Sequence, residues 1–317
     1  MDFVLLLPGQ GSQRLGMGKD IYDAFPAARD AFHAVDDAVG CALSSLAFIG
    51  PAGELTRTNN AQPALLAHSA AIWAVIRDAI APAVRAAAGH SLGELSAYHL
   101  ADALDLADAA RIVRRRGELM FEQGVARPGA MAAVIGALSV PIESICATAS
   151  TESGLVVAAN YNSPVQVVIS GEVAGVDRAM QLAKEAGAKR VLLLPVSGAF
   201  HSPLMAPAAE GLTQAFTAAM WRDPRVPVFA NVNGEAVTTA AQARDVLVQQ
   251  LTAPVRWTDE VLRMADAYPD ATFIEVGTGN VLTGLVRRIA PQLKTATCGT
   301  VAEIEALLEL AGSGSHV

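Results

Sequence analysis

Apolar residues along this chain come in two textures. Short uninterrupted runs bounded by glycine, proline or asparagine alternate with longer stretches in which apolar residues recur every three or four positions. The first texture suits strands buried on both faces and the second suits amphipathic helices, so their alternation predicts an α/β protein built on a largely parallel sheet. Phe3 to Leu7 reads as the first strand and Val84 to Gly89 as a central one, with later strands near Val226 to Ala230, Thr272 to Val276 and Lys294 to Thr297. Helices are predicted over Ala61 to Ala79, Ser91 to Ala101 and Asp105 to Gly124. The order of strands within the sheet cannot be read from this pattern.

The middle of the chain has its own rhythm. From Ala130 onward the pattern gives strand (Met131 to Gly136), helix (Val140 to Ser150), strand (Leu155 to Asn160), turn (Tyr161 to Pro164), strand (Val165 to Ser170), helix (Val173 to Ala186) and strand (Lys189 to Pro195). That βαββαβ order is the split unit of ferredoxin-like folds. Inserted between two halves of a larger α/β unit, it would leave a cleft at the junction, where ligand sites tend to form.

Composition narrows the class. With 317 residues, 52% hydrophobic and 17% charged, the chain can bury a large core. Its most apolar stretch, Ala61 to Ile76, is interrupted by Gln62, Pro63 and His68 and closed by Arg77 and Asp78, which predicts a buried helix and not a membrane span. The N-terminus runs from Asp2 straight into an apolar strand without a cationic region, so the expectation is a cytoplasmic protein. Its three cysteines have no zinc or C-x-x-C spacing and fit reduced thiols. A net charge of -8 disfavours nucleic acid as a partner.

The strongest chemical signal is Gly89-His90-Ser91-Leu92-Gly93, a G-x-S-x-G between a predicted strand and a predicted helix. A nucleophile elbow needs that context: small residues let the backbone turn sharply, the serine hydroxyl is left exposed, and the helix N-terminus offers free N–H groups to an oxyanion. The same pentapeptide also fits a plain turn with an N-capping serine. A serine nucleophile needs a base. Of six histidines, His33, His68 and His99 lie in helical patterns, His316 lies near the end of the chain, and the side chain of His90 should diverge from that of its neighbour Ser91. His201, in Gly198-Ala199-Phe200-His201-Ser202-Pro203, sits on a loop before a helix, where it is either the base or a helix-capping residue.

Arg116 shares a helical stripe with Ile112, Val113, Leu119 and Met120, while Arg111, Arg114 and Arg115 project elsewhere as a solvated face. A guanidinium on an apolar face calls for a carboxylate, supplied either by a structural Asp or Glu or by a dicarboxylic substrate gripped bidentately. Pro8-Gly9-Gln10-Gly11-Ser12-Gln13 follows the first strand but carries Arg14 where a dinucleotide loop would place its last glycine.

Together with Asn160-x-Asn162-Ser163-Pro164, Gln250-Leu251, Pro254-Val255-Arg256-Trp257 and Glu275-Val276-Gly277, these segments resemble, in order, the malonyl-CoA:acyl-carrier-protein transacylases of fatty-acid synthesis. They also resemble the acyltransferase domains of polyketide synthases. The resemblance implies a hydrolase-like large subdomain (1–127 and 197–311) that carries a nucleophile elbow on its parallel sheet. It further implies an inserted ferredoxin-like small subdomain (128–196), while the composition of Gly312 to Ser315 by itself reads as a flexible tail (312–317). It implies Ser91 as nucleophile, His201 as general base oriented by the main-chain carbonyl of Gln250, the N–H groups of Gln10 and Leu92 as oxyanion hole, and Arg116 as the clamp on the malonyl carboxylate. Asn160 and Asn162 are implied substrate contacts, and Phe200 crowds a branched acyl group, favouring malonyl. The implied partners are malonyl-CoA and an acidic acyl carrier protein, met by a monomer through Lys184, Lys189, Arg190, Arg287 or Arg288, with no metal, no tightly bound cofactor and no membrane. A serine hydrolase or thioesterase shares the elbow and histidine, and a noncatalytic carrier-binding subunit shares the fold.

Overall fold

The computed structural model describes residues 1–196 and 198–313. Its strands, in chain order, are β1 (Phe3–Leu7), β2 (Val84–Gly89), β3 (Gly129–Ile135), β4 (Val156–Ser163), β5 (Gln166–Glu172), β6 (Arg190–Leu193), β7 (Val228–Phe229), β8 (Ala236–Val237), β9 (Thr272–Val276) and β10 (Lys294–Cys298). Six of them form one sheet in the order β10-β9-β1-β2-β7-β8, parallel throughout except for β8. The other four form an antiparallel sheet in the order β4-β5-β3-β6, the arrangement expected of a βαββαβ unit.

β1 shows why the large sheet is buried on both faces. Phe3, Leu5 and Leu7 enter one core, which also holds the helix Thr58–Ile80, while Val4 and Leu6 enter a second with Phe229, Trp257 and Phe273. Side chains alternate along a strand, so five consecutive apolar residues serve two cores at once. A third core, around Ala132, Val134, Ile145 and Val176, lies between the antiparallel sheet and its helices Ile142–Ser153 and Val173–Glu185. The antiparallel sheet is tied to the rest of the chain by Val255, an isolated bridge residue just before the helix Trp257–Ala267, which donates to the Ala159 carbonyl at 2.8 Å and accepts from the Tyr161 N–H at 2.8 Å.

The helix Thr58–Ile80 is long and apolar enough to cross a membrane by length and composition, yet here it is packed inside the protein with Gln62, His68 and Ser69 buried along it. Departures from the sequence reading are local. β4 runs on to Ser163 through two irregularities in its pairing with β5, so the expected turn shortens to Pro164 and Val165. Four helices, Lys19–Ala24, Pro26–Val39, Leu43–Ile49 and Ala52–Thr56, occupy a region the pattern left unassigned. None of the four has a side-chain cap, which removes the usual start signal. The last helix, Val301–Ser313, takes in Gly312 and Ser313, and 314–317 lie outside the described residues.

The sheet order sets the place of the site. β1 and β2 are neighbours paired through Leu7 and Gly89, so the loops leaving their carboxyl ends emerge side by side. In an open parallel sheet such a junction is where ligands bind.

Candidate active site

Ser91 stands at φ 55°, ψ -109°, between β2 and the helix Leu92–Leu100. Few non-glycine residues adopt that conformation, and holding it costs about 1–3 kcal/mol. The flanking glycines allow the approach around it. A Cβ on Gly89 would lie 1.9 Å from the Gly93 carbonyl carbon, and one on Gly93 would lie 2.1 Å from the Leu7 carbonyl oxygen. The Ser91 side chain makes no cap to its helix. Instead its Oγ lies 2.7 Å from Nε2 of His201, which decides between the two readings of the pentapeptide.

His201 is likewise at positive φ, 55°, and buried. Its Nδ1 lies 2.9 Å from the Gln250 carbonyl and 3.3 Å from that of Ala253. Two carbonyls can only accept, so Nδ1 carries the proton and Nε2 is left to accept from the serine hydroxyl. The helical turn that follows is capped by Ser202, whose side chain accepts from the Leu204 N–H, and not by the histidine. Burial, and then the charge of Arg116, push the His201 pKa down to about 3, so the imidazole is neutral and ready to take a proton.

Arg116 is 1% exposed on the helix Leu106–Ala126. Its Nη1 donates to Gln62 Oε1 at 2.7 Å, and its Nη2 donates to Gln250 Oε1 at 3.0 Å and to Ser91 Oγ at 3.1 Å. All three acceptors are neutral, and among the described residues no carboxylate pairs with this guanidinium. Burial pulls its pKa down to about 10, with the Glu94 charge acting the other way. The buried cation therefore has an unfilled demand for an anion beside the serine. Its neighbour Arg114 departs from the expected solvated face: half-buried, it donates to Glu118, to the Asn59 carbonyl and to Asn60 Oδ1.

A cavity of about 270 Å³ opens over Ser91 and His201, lined also by Gln10, Asn160, Asn162 and Phe200 among the expected residues. Met120, Met131 and Val168 make its walls apolar. Arg116 and Gln250 do not line it, and Arg116 meets it only through Ser91. The backbone N–H groups of Gln10 and Leu92 have no acceptor among the described residues. The Gln10 side chain is fixed by the Thr58 hydroxyl, and a Cβ on Gly9 would fall 2.4 Å from the His90 carbonyl oxygen, so the two loops pack tightly together.

Several residues of the site escaped the sequence reading. His90 lines the cavity with its Nε2 2.7 Å from Asn162 Oδ1, so Asn162 orients this ring. Asn231 accepts from the Ser91 N–H at 2.8 Å and donates to the Gly89 carbonyl at 2.8 Å, clamping the elbow from behind. Gln62 holds Arg116 from the very stretch whose polar interruptions were visible in the sequence. Glu94 and Glu260 are both fully buried behind the serine. Asn231 had no local signal at all.

Residues 4–311 match the acyl transferase domain family. The chain is 45% identical over 305 residues to the malonyl CoA-acyl carrier protein transacylase of Bacillus subtilis, covering 96% of this chain and 95% of that one. Its fold is similar to that of the acyl-carrier-protein S-malonyltransferase of Bartonella henselae, with a TM-score of 0.93 and 44% identity over 98% of this chain and 100% of that one. It is also similar to a malonyl-transacylase solved in complex with a type II PKS acyl-carrier protein, with a TM-score of 0.92 and 40% identity over 98% of this chain and 100% of that one.

Proposed function

Since the chain belongs to the acyl transferase domain family, we propose that it moves a malonyl group from coenzyme A to the pantetheine thiol of an acyl carrier protein through an ester on Ser91. One observation supports this above the rest. The Ser91 hydroxyl lies between a neutral imidazole at 2.7 Å and a buried, carboxylate-free guanidinium at 3.1 Å.

In the first half-reaction Ser91 Oγ attacks the thioester carbon as His201 Nε2 takes its proton. The tetrahedral oxyanion is received by the N–H groups of Gln10 and Leu92. The C–S bond then breaks, and the imidazolium returns the proton to the departing thiolate. In the second half a carrier thiol gives its proton to His201 and attacks the ester carbon; the C–O bond to Ser91 then breaks, the imidazolium returns the proton to Oγ, and the acyl group leaves as the new thioester. The Gln250 carbonyl holds the ring through both halves, in the place an acidic side chain takes in a hydrolase triad. The malonyl carboxylate, reaching past Ser91 to Arg116, displaces neutral acceptors and satisfies the cation. Acetyl offers no such anion, and its complex leaves a buried polar site underused. Phe200 narrows the cavity against a branch on the acyl chain, and Asn160 and Asn162 line the path of the substrate.

The same reading puts the enzyme in the cytoplasm as a monomer, in keeping with its three free cysteines. A serine hydrolase would share Ser91 and His201, but Arg116 has no task in it. Intact-mass analysis after malonyl-CoA, acetyl-CoA and malonyl-CoA with Ser91→Ala tests the proposal. A malonyl adduct is expected only with Ser91 present, and hydrolysis outrunning transfer to a carrier protein would favour the hydrolase. Charge reversal at Lys184, Lys189, Arg190, Arg287 and Arg288, all exposed, should slow carrier transfer without slowing loading from coenzyme A.

A further inference from the structure

Behind the serine, Gln250 is held at every polar atom. Its Oε1 accepts from Arg116 at 3.0 Å, and its Nε2 donates to Glu94 Oε2 at 2.7 Å and to the Ser91 carbonyl at 2.9 Å. The same Glu94 oxygen accepts from the Asn231 N–H at 3.1 Å. Cation, amide and carboxylate thus form a chain in which the amide dipole points its negative end at Arg116 and its positive end at Glu94. The other oxygen of Glu94, Oε1, is fully buried and has no hydrogen-bond partner. The Tyr98 hydroxyl sits beside it, also without a partner in hydrogen-bonding geometry.

We propose that Glu94 is the buried counter-charge of Arg116, relayed through the Gln250 amide, and that it takes up a proton when a substrate carboxylate reaches Arg116. Before loading, the site holds one cation and one anion. The malonyl carboxylate brings a second anion up to a cation that is 1% exposed and a carboxylate that is fully buried, and the least costly remedy is to neutralise the first. Oε1, which accepts no bond in good geometry, is where the proton goes, and the protonated oxygen can then donate to the Tyr98 hydroxyl in place of drawing on its proton.

The surroundings permit this. The titratable groups around Glu94 are Arg116 on the helix Leu106–Ala126, Tyr98 on its own helix and Glu260 on the helix Trp257–Ala267. Burial raises the Glu260 pKa well above the usual carboxylate range, so Glu260 stays neutral and donates no competing charge. Burial raises that of Glu94 to about 7, with the Gln250 and Asn231 hydrogen bonds, the Arg116 charge and the Tyr98 hydroxyl restraining the rise. Glu94 is therefore poised to change charge near neutrality. It is a positioning residue, acting on the substrate only through Gln250 and Arg116.

This inference rests on the malonyl-transfer reading above. Loading breaks a C–S bond and forms a C–O bond, the serine proton leaves on the coenzyme A thiol, and the extra proton bound by Glu94 comes from solvent. Proton uptake is measured with a pH indicator in weak buffer as the enzyme is loaded from malonyl-CoA, with the adduct counted by intact mass. Uptake per adduct should rise from near zero at about pH 6, where Glu94 is already protonated, toward one at about pH 8. Loading from acetyl-CoA, which releases the same thiol, should show none of this rise, and Glu94→Gln should abolish it. Glu94→Gln should also flatten the decline of malonyl kcat/KM above neutral pH. Malonyl adduct without pH-dependent uptake, or equal uptake with acetyl, overturns the inference and leaves the malonyl-transfer reading standing. No adduct at all overturns both. The acetyl comparison decides the matter in the unaltered enzyme even where the variant fails to fold.

Discussion

Gln250 holds His201 by its main chain, with the carbonyl oxygen 2.9 Å from Nδ1, while its side chain is spent on other partners. His201 and Arg116, the proposed base and the proposed acid-binding cation, are therefore held by different atoms of one residue. Gln250→Ala keeps the carbonyl and removes the amide. We expect acetyl transfer to change by less than about 3-fold, while malonyl kcat/KM falls by about 10-fold or more, the worth of a hydrogen bond to a charged group. Steady-state kinetics with both acyl-CoAs separate the two effects, and equal losses would mean that the amide serves the base after all.

Arg116→Ala removes the cation outright. Malonyl kcat/KM should fall by about 100- to 1000-fold, in line with about 3–4 kcal/mol for a buried charge contact, and the preference for malonyl over acetyl should vanish. Arg116→Lys should not restore it, because one ammonium cannot reach Gln62, Gln250 and substrate together. The variant should also titrate differently. The Arg116 charge helps to depress the His201 pKa, so its removal should move the acid limb of acetyl kcat/KM to higher pH.

The elbow depends on Gly93. Its added Cβ would overlap the Leu7 carbonyl at 2.1 Å, a backbone atom of the central strand that cannot swing aside. Gly93→Ala should cost at least about 3 kcal/mol of stability, measured by urea unfolding. Gly284→Ala, inside the helix Val281–Ile289 where the added carbon meets nothing within 4 Å, should instead stabilise the protein by about 0.5–1 kcal/mol.

His68 is fully buried with both ring nitrogens unpartnered, and burial pushes its pKa down to about 4. The unfolded chain binds this proton near the ordinary histidine value while the folded chain refuses it. Stability is therefore intact above that value and is lost as pH falls toward about 4, at about 1.4 kcal/mol per pH unit. His201 acts with the same sign. In His68→Leu the loss of unfolding free energy between neutral pH and about pH 4 should be smaller by about 3 kcal/mol. An unchanged slope in urea titrations across that range would show that His68 is hydrated in solution.

Much of the site could be read in the sequence because its chemistry is local. A sharp strand-to-helix turn needs Gly89 and Gly93 at fixed offsets from Ser91, so the elbow is written into five residues. Arg116 betrayed itself as a charge on an apolar helical stripe, and the βαββαβ order around β3 to β6 follows from strand and helix periods alone. The four helices between Lys19 and Thr56 were illegible for the opposite reason: none has a side-chain cap, and all but Pro26–Val39 are only 5 to 7 residues long.

By itself, then, the chain determined most of its strands, the βαββαβ order, its elbow serine and the oddity of a buried guanidinium, all of which rest on neighbours a few residues apart. Only the tertiary structure decided what Arg116 faces, which atom of Gln250 meets His201, and that Asn231, Glu94 and Gln62 close the site. Those contacts join residues 25 to 159 positions apart, and side chains so distant in sequence meet only once the order of strands in the sheet has been set. That order depends on burying two faces at once, which no local pattern encodes.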